Sequence, residues 1–171
     1  DRLRGYRQAM QATGLAYRDE YVAYGDFYVE SGRRAMAELL SLDEPPTAVF
    51  FETPSNPMQE LVDMRAVSDL AHAAGAQVVV DNVFGTPVFS KPLEHGADIV
   101  VYSATKHIDG QGRTLGGAVL GTSEFIDGPV KNLMRHTGPS MSPFNAWVLV
   151  KGLETMSLRV ERMAANALQN L

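Results

Sequence analysis

Residues 98–113, DIVVYSATKHIDGQGR, set an apolar run, a lysine after two hydroxyl residues and the start of a glycine series in immediate succession. Asp98 to Tyr102 is too short for a helix and reads as a buried strand, so Ser103, Thr105 and Lys106 fall at its carboxyl end. The same grammar recurs upstream. Leu61, Met64, Val67, Leu70 and Ala74 mark one face of a helix that Gly75 stops, and Ala76 to Val80 form an apolar strand closed by Asp81. A short helical turn is expected around Lys91 to His95, between those two strands.

Working outward, Ala48 to Phe51 reads as another buried strand, bounded by Pro45 and Pro46 before it and by ETPSNP after it. Leu115 to Leu120, flanked by Gly116, Gly117 and Gly121, reads as a further one, and β-prone Tyr21 to Tyr24 as the first. Leu3, Tyr6 and Met10 share a helical face that ends at Gly14, and Ala35, Met36, Leu39 and Leu40 share another. Beyond Gly121 three helical segments follow, near 123–136, 143–151 and 154–171, with Phe144 and Trp147 expected in the core. Strands apolar on both faces, alternating with helices, predict an α/β fold: a doubly wound, mostly parallel sheet of about five strands flanked by helices, with a helical C-terminal segment, in a single domain over residues 1–171.

Composition limits the function classes. A chain of 171 residues, 45% hydrophobic, can bury a real core. A net charge of −5 and a pI near 5.3 give no electrostatic reason to expect nucleic acid or an anionic membrane as partner. The absence of cysteine excludes disulfides and thiolate metal sites and fits a reducing, cytoplasmic setting. No apolar run approaches the roughly 20 residues that span a bilayer. His72, His95, His107 and His136 lack metal-ligand spacing on a shared face, and surface roles are expected for them.

In open α/β sheets ligands bind outside the carboxyl ends of the strands. Three segments deliver Asn56, Asp81, Ser103, Thr105 and Lys106 to that rim. A desolvated lysine amine can attack a carbonyl. Hydroxyls two residues apart, with backbone amides nearby, suit a phosphate, and a carboxylate on the neighbouring strand suits a protonated ring nitrogen. Together they specify pyridoxal phosphate. Each also has a plainer reading. Asp81 could be a turn cap, Asn56 before Pro57 is ordinary turn chemistry, and a loop lysine is usually just solvated.

The motifs AVFFETPSNP (48–57), VVVDNVFGTP (78–87), ADIVVYSATKHIDGQGR (97–113) and GGAVLG (116–121) make residues from about 48 to 171 resemble the Cys/Met-metabolism pyridoxal-phosphate enzymes. The resemblance implies that Lys106 carries the cofactor, Asp81 pairs with its ring nitrogen, Ser103 and Thr105 hold its phosphate and Asn56 meets its ring hydroxyl. It implies γ-replacement on an activated homoserine ester, with Lys106 as proton shuttle.

Residues 1 to about 50, from DRLRGYRQAM to TAVF, resemble instead the effector-binding domain of lac-repressor-type regulators, which has a periplasmic-binding-protein-like fold. Two resemblances meeting inside TAVFF predict an engineered chimera: an α/β scaffold with a vestigial cofactor site, weak or absent cofactor binding and no efficient activity. In that reading Ser31 and Gly32, although similar to the enzyme family's phosphate loop, count as coincidence. The alternatives are a working pyridoxal-phosphate enzyme and a repressor-type small-molecule binding domain. Apolar surface left where a lost domain packed would favour a homodimer, chiefly through the last helix.

Overall fold

The computed structural model describes residues 2–24 and 29–170. The chain packs as two compact units, Asp1–Pro46 and Thr47–Leu171. In the first, α1 (Arg2–Ala12) ends as its sequence predicts. Gly14 takes φ +71°, and its amide and that of Leu15 donate to the carbonyls of Gln11 and Met10. The expected strand at Tyr21 to Tyr24 does not form. Arg18 pairs with Glu20 and Glu44 and covers the Tyr21 ring at 4.7 Å, while Tyr21 Oη donates to the Glu44 carbonyl at 2.7 Å. These bonds curl Asp19–Tyr21 into a 3-10 turn, and the extended backbone at Val22 pairs with no strand among the described residues. Propensity without a partner strand makes no sheet. Helix α2 (Val29–Leu40) follows.

The second unit holds the sheet: β1 (Ala48–Glu52), β2 (Gln77–Asp81), β3 (Ile99–Ser103) and β4 (Gly117–Leu120). The order is β1-β2-β3-β4, so the strands lie side by side in chain order, four among the described residues where about five are expected. The first two pairings are parallel and the last is antiparallel. Helix α3 (Met64–Ala73) carries the chain from β1 to β2. It starts after Leu61, contrary to the periodicity, because the Asp63 side chain accepts the Ala66 amide and caps it there. Helix α4 (Thr86–Phe89) and the 3-10 turn Pro92–His95 connect β2 to β3.

Register sorts the side chains by face, since paired residues share a face and successive ones alternate. Val78, Val80, Val100 and Tyr102 lie on one face and are buried; α3 packs there, contributing buried Ser68 and Ala71. Burying each valine contributes about 1.5–3 kcal/mol. Glu52, Asp81, Val101, Ser103 and Gly117 lie on the other. At the opposite end of the strands, Asp98 Oδ2 accepts the Val78 amide at 2.7 Å and lies 2.9 Å from His72 Nε2.

Past β4, α5 (Ser123–Phe125), a π-turn at Ile126–Val130 and α6 (Lys131–Thr137) form one helical stretch, followed by α7 (Pro143–Leu153) and α8 (Met156–Gln169). The Ser142 side chain accepts the Asn145 amide, with Pro143 at the first helical position, so α7 begins where its sequence dictates. Phe144 and Trp147, expected in the core, are 69% and 55% exposed. Helix α7 is apolar around most of its circumference and buries only the side bearing Val148, Leu149 and Gly152.

Two buried polar side chains shape the loops at the carboxyl edge. Asn82, fully buried, places Nδ2 2.9 Å from the Ser90 carbonyl, 2.9 Å from Tyr102 Oη and 3.3 Å from the Thr86 carbonyl. Burial raises the Tyr102 pKa, and the Asn82 bond partly offsets this. Asp109, also fully buried, accepts the Arg113 amide at 2.6 Å and Arg113 Nε at 2.9 Å. Burial alone would raise its pKa, but the Arg113 amide and guanidinium outweigh that and hold it below the usual carboxylate range.

A Cβ at Gly85 would stand 2.3 Å from Asn82 Oδ1 and 2.9 Å from Ser90 Cβ. Gly85→Ala should therefore destabilise the unit by about 1–3 kcal/mol through overpacking, read as a lower urea midpoint. For Asp109, a carboxylate depressed by folding contributes stability above its unfolded pKa of about 4, and that contribution is lost as pH falls through its lower folded value. Asp109→Asn should be less stable at neutral pH and lose less further stability on acidification. Parallel stability–pH curves for the two proteins would contradict this.

Candidate active site

The carboxyl ends of β1, β2 and β3 lie side by side because Glu52 pairs with Asp81 and Asp81 with Val101. Ser103 is two residues beyond the register partner of Asp81. A rise of about 3.3 Å per residue and a strand spacing of about 4.8 Å put the two Cα atoms roughly 8 Å apart on one face. One small molecule can touch both.

Asp81 is half-buried, and its Oδ1 accepts the Val83 amide at 3.0 Å. The turn-cap role is thus real, and it leaves Oδ2 with no donor among the described residues. From Ser103 the chain turns tightly. The Lys106 amide donates to the Ser103 carbonyl at 3.1 Å, the Asp109 amide to the Ala104 carbonyl at 2.8 Å and the Gly110 amide to the Lys106 carbonyl at 2.7 Å. The turn holds the backbone on both sides of Lys106 and leaves its side chain exposed, with no ion pair or hydrogen bond on Nζ among the described residues. The Ser103 hydroxyl is similarly uncommitted. Thr105 Oγ1 accepts the Gly116 amide at a long 3.4 Å, which leaves its O–H proton to donate.

Asn56 sits four residues past the end of β1, exposed, and its amide donates to Glu52 Oε2 at 2.9 Å. It stands in a loop with cis peptide bonds at Thr53–Pro54 and Asn56–Pro57, held by Thr53 Oγ1 and Ser55 Oγ, which accept the amides of Val62 and Glu60. All five expected residues therefore fall at the carboxyl edge of β1–β3. Of the five, Thr105 also lines a cleft of about 290 Å³, with Gly112, Arg113, Thr114, Leu115 and Asn145.

A free amine, an open carboxylate oxygen and two hydroxyls with protons to give are the groups that an aldehyde, a pyridine nitrogen and a phosphate require, so the donor set fits pyridoxal phosphate. Sequence reasoning missed Asn82, Asp109 and Arg159. The dipeptide Asp81-Asn82 carries no signal for burial, and Arg159 meets the lysine turn from 52 positions away at His107. Among the described residues no group of acidic or histidine side chains could hold a metal ion, and no helix is long and apolar enough to cross a membrane.

The chain is 67% identical over 127 residues to an O-succinylhomoserine sulfhydrylase of Mycobacterium tuberculosis, covering 74% of this chain and 31% of that protein. It is 52% identical over 126 residues to the O-succinylhomoserine sulfhydrylase of Pseudomonas aeruginosa, covering 73% and 31%. A crystal structure of a methionine gamma lyase from Micromonospora echinospora superposes with a TM-score of 0.75 at 33% identity, over 90% of this chain and 40% of that one. The chain thus spans about a third of the length of the curated relatives it matches.

The model of the Cys/Met metabolism PLP-dependent enzymes matches residues 28–170. It begins well inside residues 1–50, the stretch expected to be regulator-like, so the family resemblance expected to start near residue 48 reaches back to residue 28. That match also takes in Ser31 and Gly32, which removes the reason for treating their likeness to the family's phosphate loop as coincidence. Nothing in the comparisons supports a regulator-like segment or an engineered origin. On the match over residues 28–170 and the structural likeness together, the chain belongs to the Cys/Met metabolism PLP-dependent enzymes.

Proposed function

We propose that this chain carries the lysine-bearing part of a pyridoxal-phosphate enzyme that replaces the γ-substituent of an activated homoserine ester with a sulfur nucleophile, as the name O-succinylhomoserine sulfhydrylase describes for its relatives. The observation that carries the reading is the register of β1–β3, which brings Asp81 and the Lys106 turn to one edge with their reactive atoms uncommitted. The 67% identity to a sulfhydrylase supports the reaction class.

Bound there, pyridoxal phosphate would supply an electron sink for charge developing on the substrate. The rest falls to the chain. Lys106 Nζ would be the amine that holds the cofactor's aldehyde and would carry protons at the substrate carbons. Asp81 would use Oδ2 to keep the ring nitrogen protonated, while the Val83 amide bond to Oδ1 orients the carboxylate. Ser103 and Thr105 would donate their hydroxyl protons to the phosphate. Asn56, in the β1 loop, would meet the ring hydroxyl.

The chain contains four lysines, Lys91, Lys106, Lys131 and Lys151, which gives the test internal controls. Pyridoxal phosphate followed by borohydride should leave its pyridoxyl mark chiefly on Lys106, and Lys106→Ala should abolish the visible absorption. Marking spread evenly over the four would refute the assignment. For the reaction class, O-succinylhomoserine and sulfide with saturating cofactor should yield homocysteine; a product set lacking it would move the chain to another member activity of the family.

A further inference from the structure

The turn that bears Lys106 bonds the amides of Lys106, Asp109 and Gly110 to its own carbonyls, while the carbonyls of half-buried His107 and Ile108 take donors from outside it. One side chain supplies them. Arg159, on α8, donates from Nη1 to the His107 carbonyl at 3.0 Å and from Nη2 to the Ile108 carbonyl at 3.4 Å. Nη2 also donates to the Gly152 carbonyl at 2.8 Å, in the last turn of α7, and Nε to Thr155 Oγ1 at 3.1 Å. No carboxylate partners Arg159 among the described residues. The cation is held by carbonyl oxygens, including those at the negative end of the α7 dipole, and its planar fork bridges two segments that a single ammonium could not.

Packing leaves this bridge no slack. A Cβ on Gly110, where φ is +73°, would lie 2.0 Å from Arg159 Nη1, and a Cβ on Gly152 would lie 2.2 Å from the Ile108 carbonyl oxygen. The glycines on either side are bare where the guanidinium and the turn press together. The lysine turn is therefore fixed from the α7–α8 junction as well as from β3.

We propose that Arg159 is a positioning residue for Lys106: by holding the His107 and Ile108 carbonyls it sets where Nζ is presented at the strand-end rim. This rests on the reading of Lys106 as the cofactor-bearing lysine. Arg159 touches neither cofactor nor substrate in this account and acts through the turn alone.

The test compares the full chain with Arg159→Met and Arg159→Lys by two readouts. The first is the pyridoxyl mark fixed by borohydride at Lys106 relative to Lys91 and Lys131. The second, taken without cofactor, is amide hydrogen exchange at Asp109 and Gly110 relative to Val79 and Val80 in β2. Arg159→Met should cut the preference for Lys106 about tenfold, as expected for losing charge-assisted bonds to two carbonyls, and speed exchange at Asp109 and Gly110 alone. Arg159→Lys should fall between. An unchanged preference together with unchanged exchange in Arg159→Met overturns the proposal while leaving the cofactor reading intact. Wild type that shows no preference for Lys106 overturns the cofactor reading, and the proposal with it. If Arg159→Met does not melt cooperatively, Arg159→Lys and Thr155→Val, which removes the Nε acceptor together with the hydroxyl's own long bond to the Gly152 carbonyl, decide by the same readouts.

Discussion

At the start of β3 the Asp98 carboxylate grips the Val78 amide at 2.7 Å and lies against His72 Nε2 at 2.9 Å, fixing how far β3 slides against β2. Everything at the other end of those strands depends on that register. A slip of one residue would turn every side chain of β3 to the opposite face. Asp81 and Ser103 would then no longer share a face, and Val100 would leave the buried layer it forms with Val78 and Val80. The apolar core and the candidate site thus enforce the same alignment, which is why so small a rim can hold a precise set of groups.

From the strand ends outward, the structure uses buried polar atoms in place of further strands. Asn82 ties the loop after Asp81 to Tyr102 on β3, and Asp109 with Arg113 closes the loop after Lys106. Gly85 and Gly110 leave room for those side chains and for Arg159 where any Cβ would collide. Losing a partner in such a network leaves a buried polar group unpaired, so the cost falls first on the loops that carry Asp81 and Lys106. The arrangement keeps the backbone stiff around the reactive groups while Lys106 Nζ itself is left uncommitted.

Much of this was legible in the sequence. The strands at 48–52, 77–81, 99–103 and 117–120 announce themselves as short apolar runs between turn residues, and Asp81 and Lys106 stand at their ends. What was not legible is tertiary. Tyr21 to Tyr24 has strand propensity but no partner strand, and Arg18 and Tyr21 take it into a turn. Leu61 fits the helical period, yet Asp63 caps the helix after it. Phe144 and Trp147 look like core, although the helix that bears them buries only the side of Val148, Leu149 and Gly152. Arg159 means nothing until the fold brings α8 to the lysine turn. The regulator-like reading of the first fifty residues gave local likeness more weight than it could bear against a family match that starts at residue 28.

The central claim is that Asp81 and Lys106 form one site, and it is tested most directly by titrating pyridoxal phosphate into wild type and Asp81→Ala while following the visible absorption. Loss of one charge-assisted bond to the ring nitrogen should weaken apparent binding about 10- to 100-fold, with the lysine itself untouched. Equal affinity and an equal spectrum would contradict the claim, because the carboxylate would then be a turn cap and nothing more.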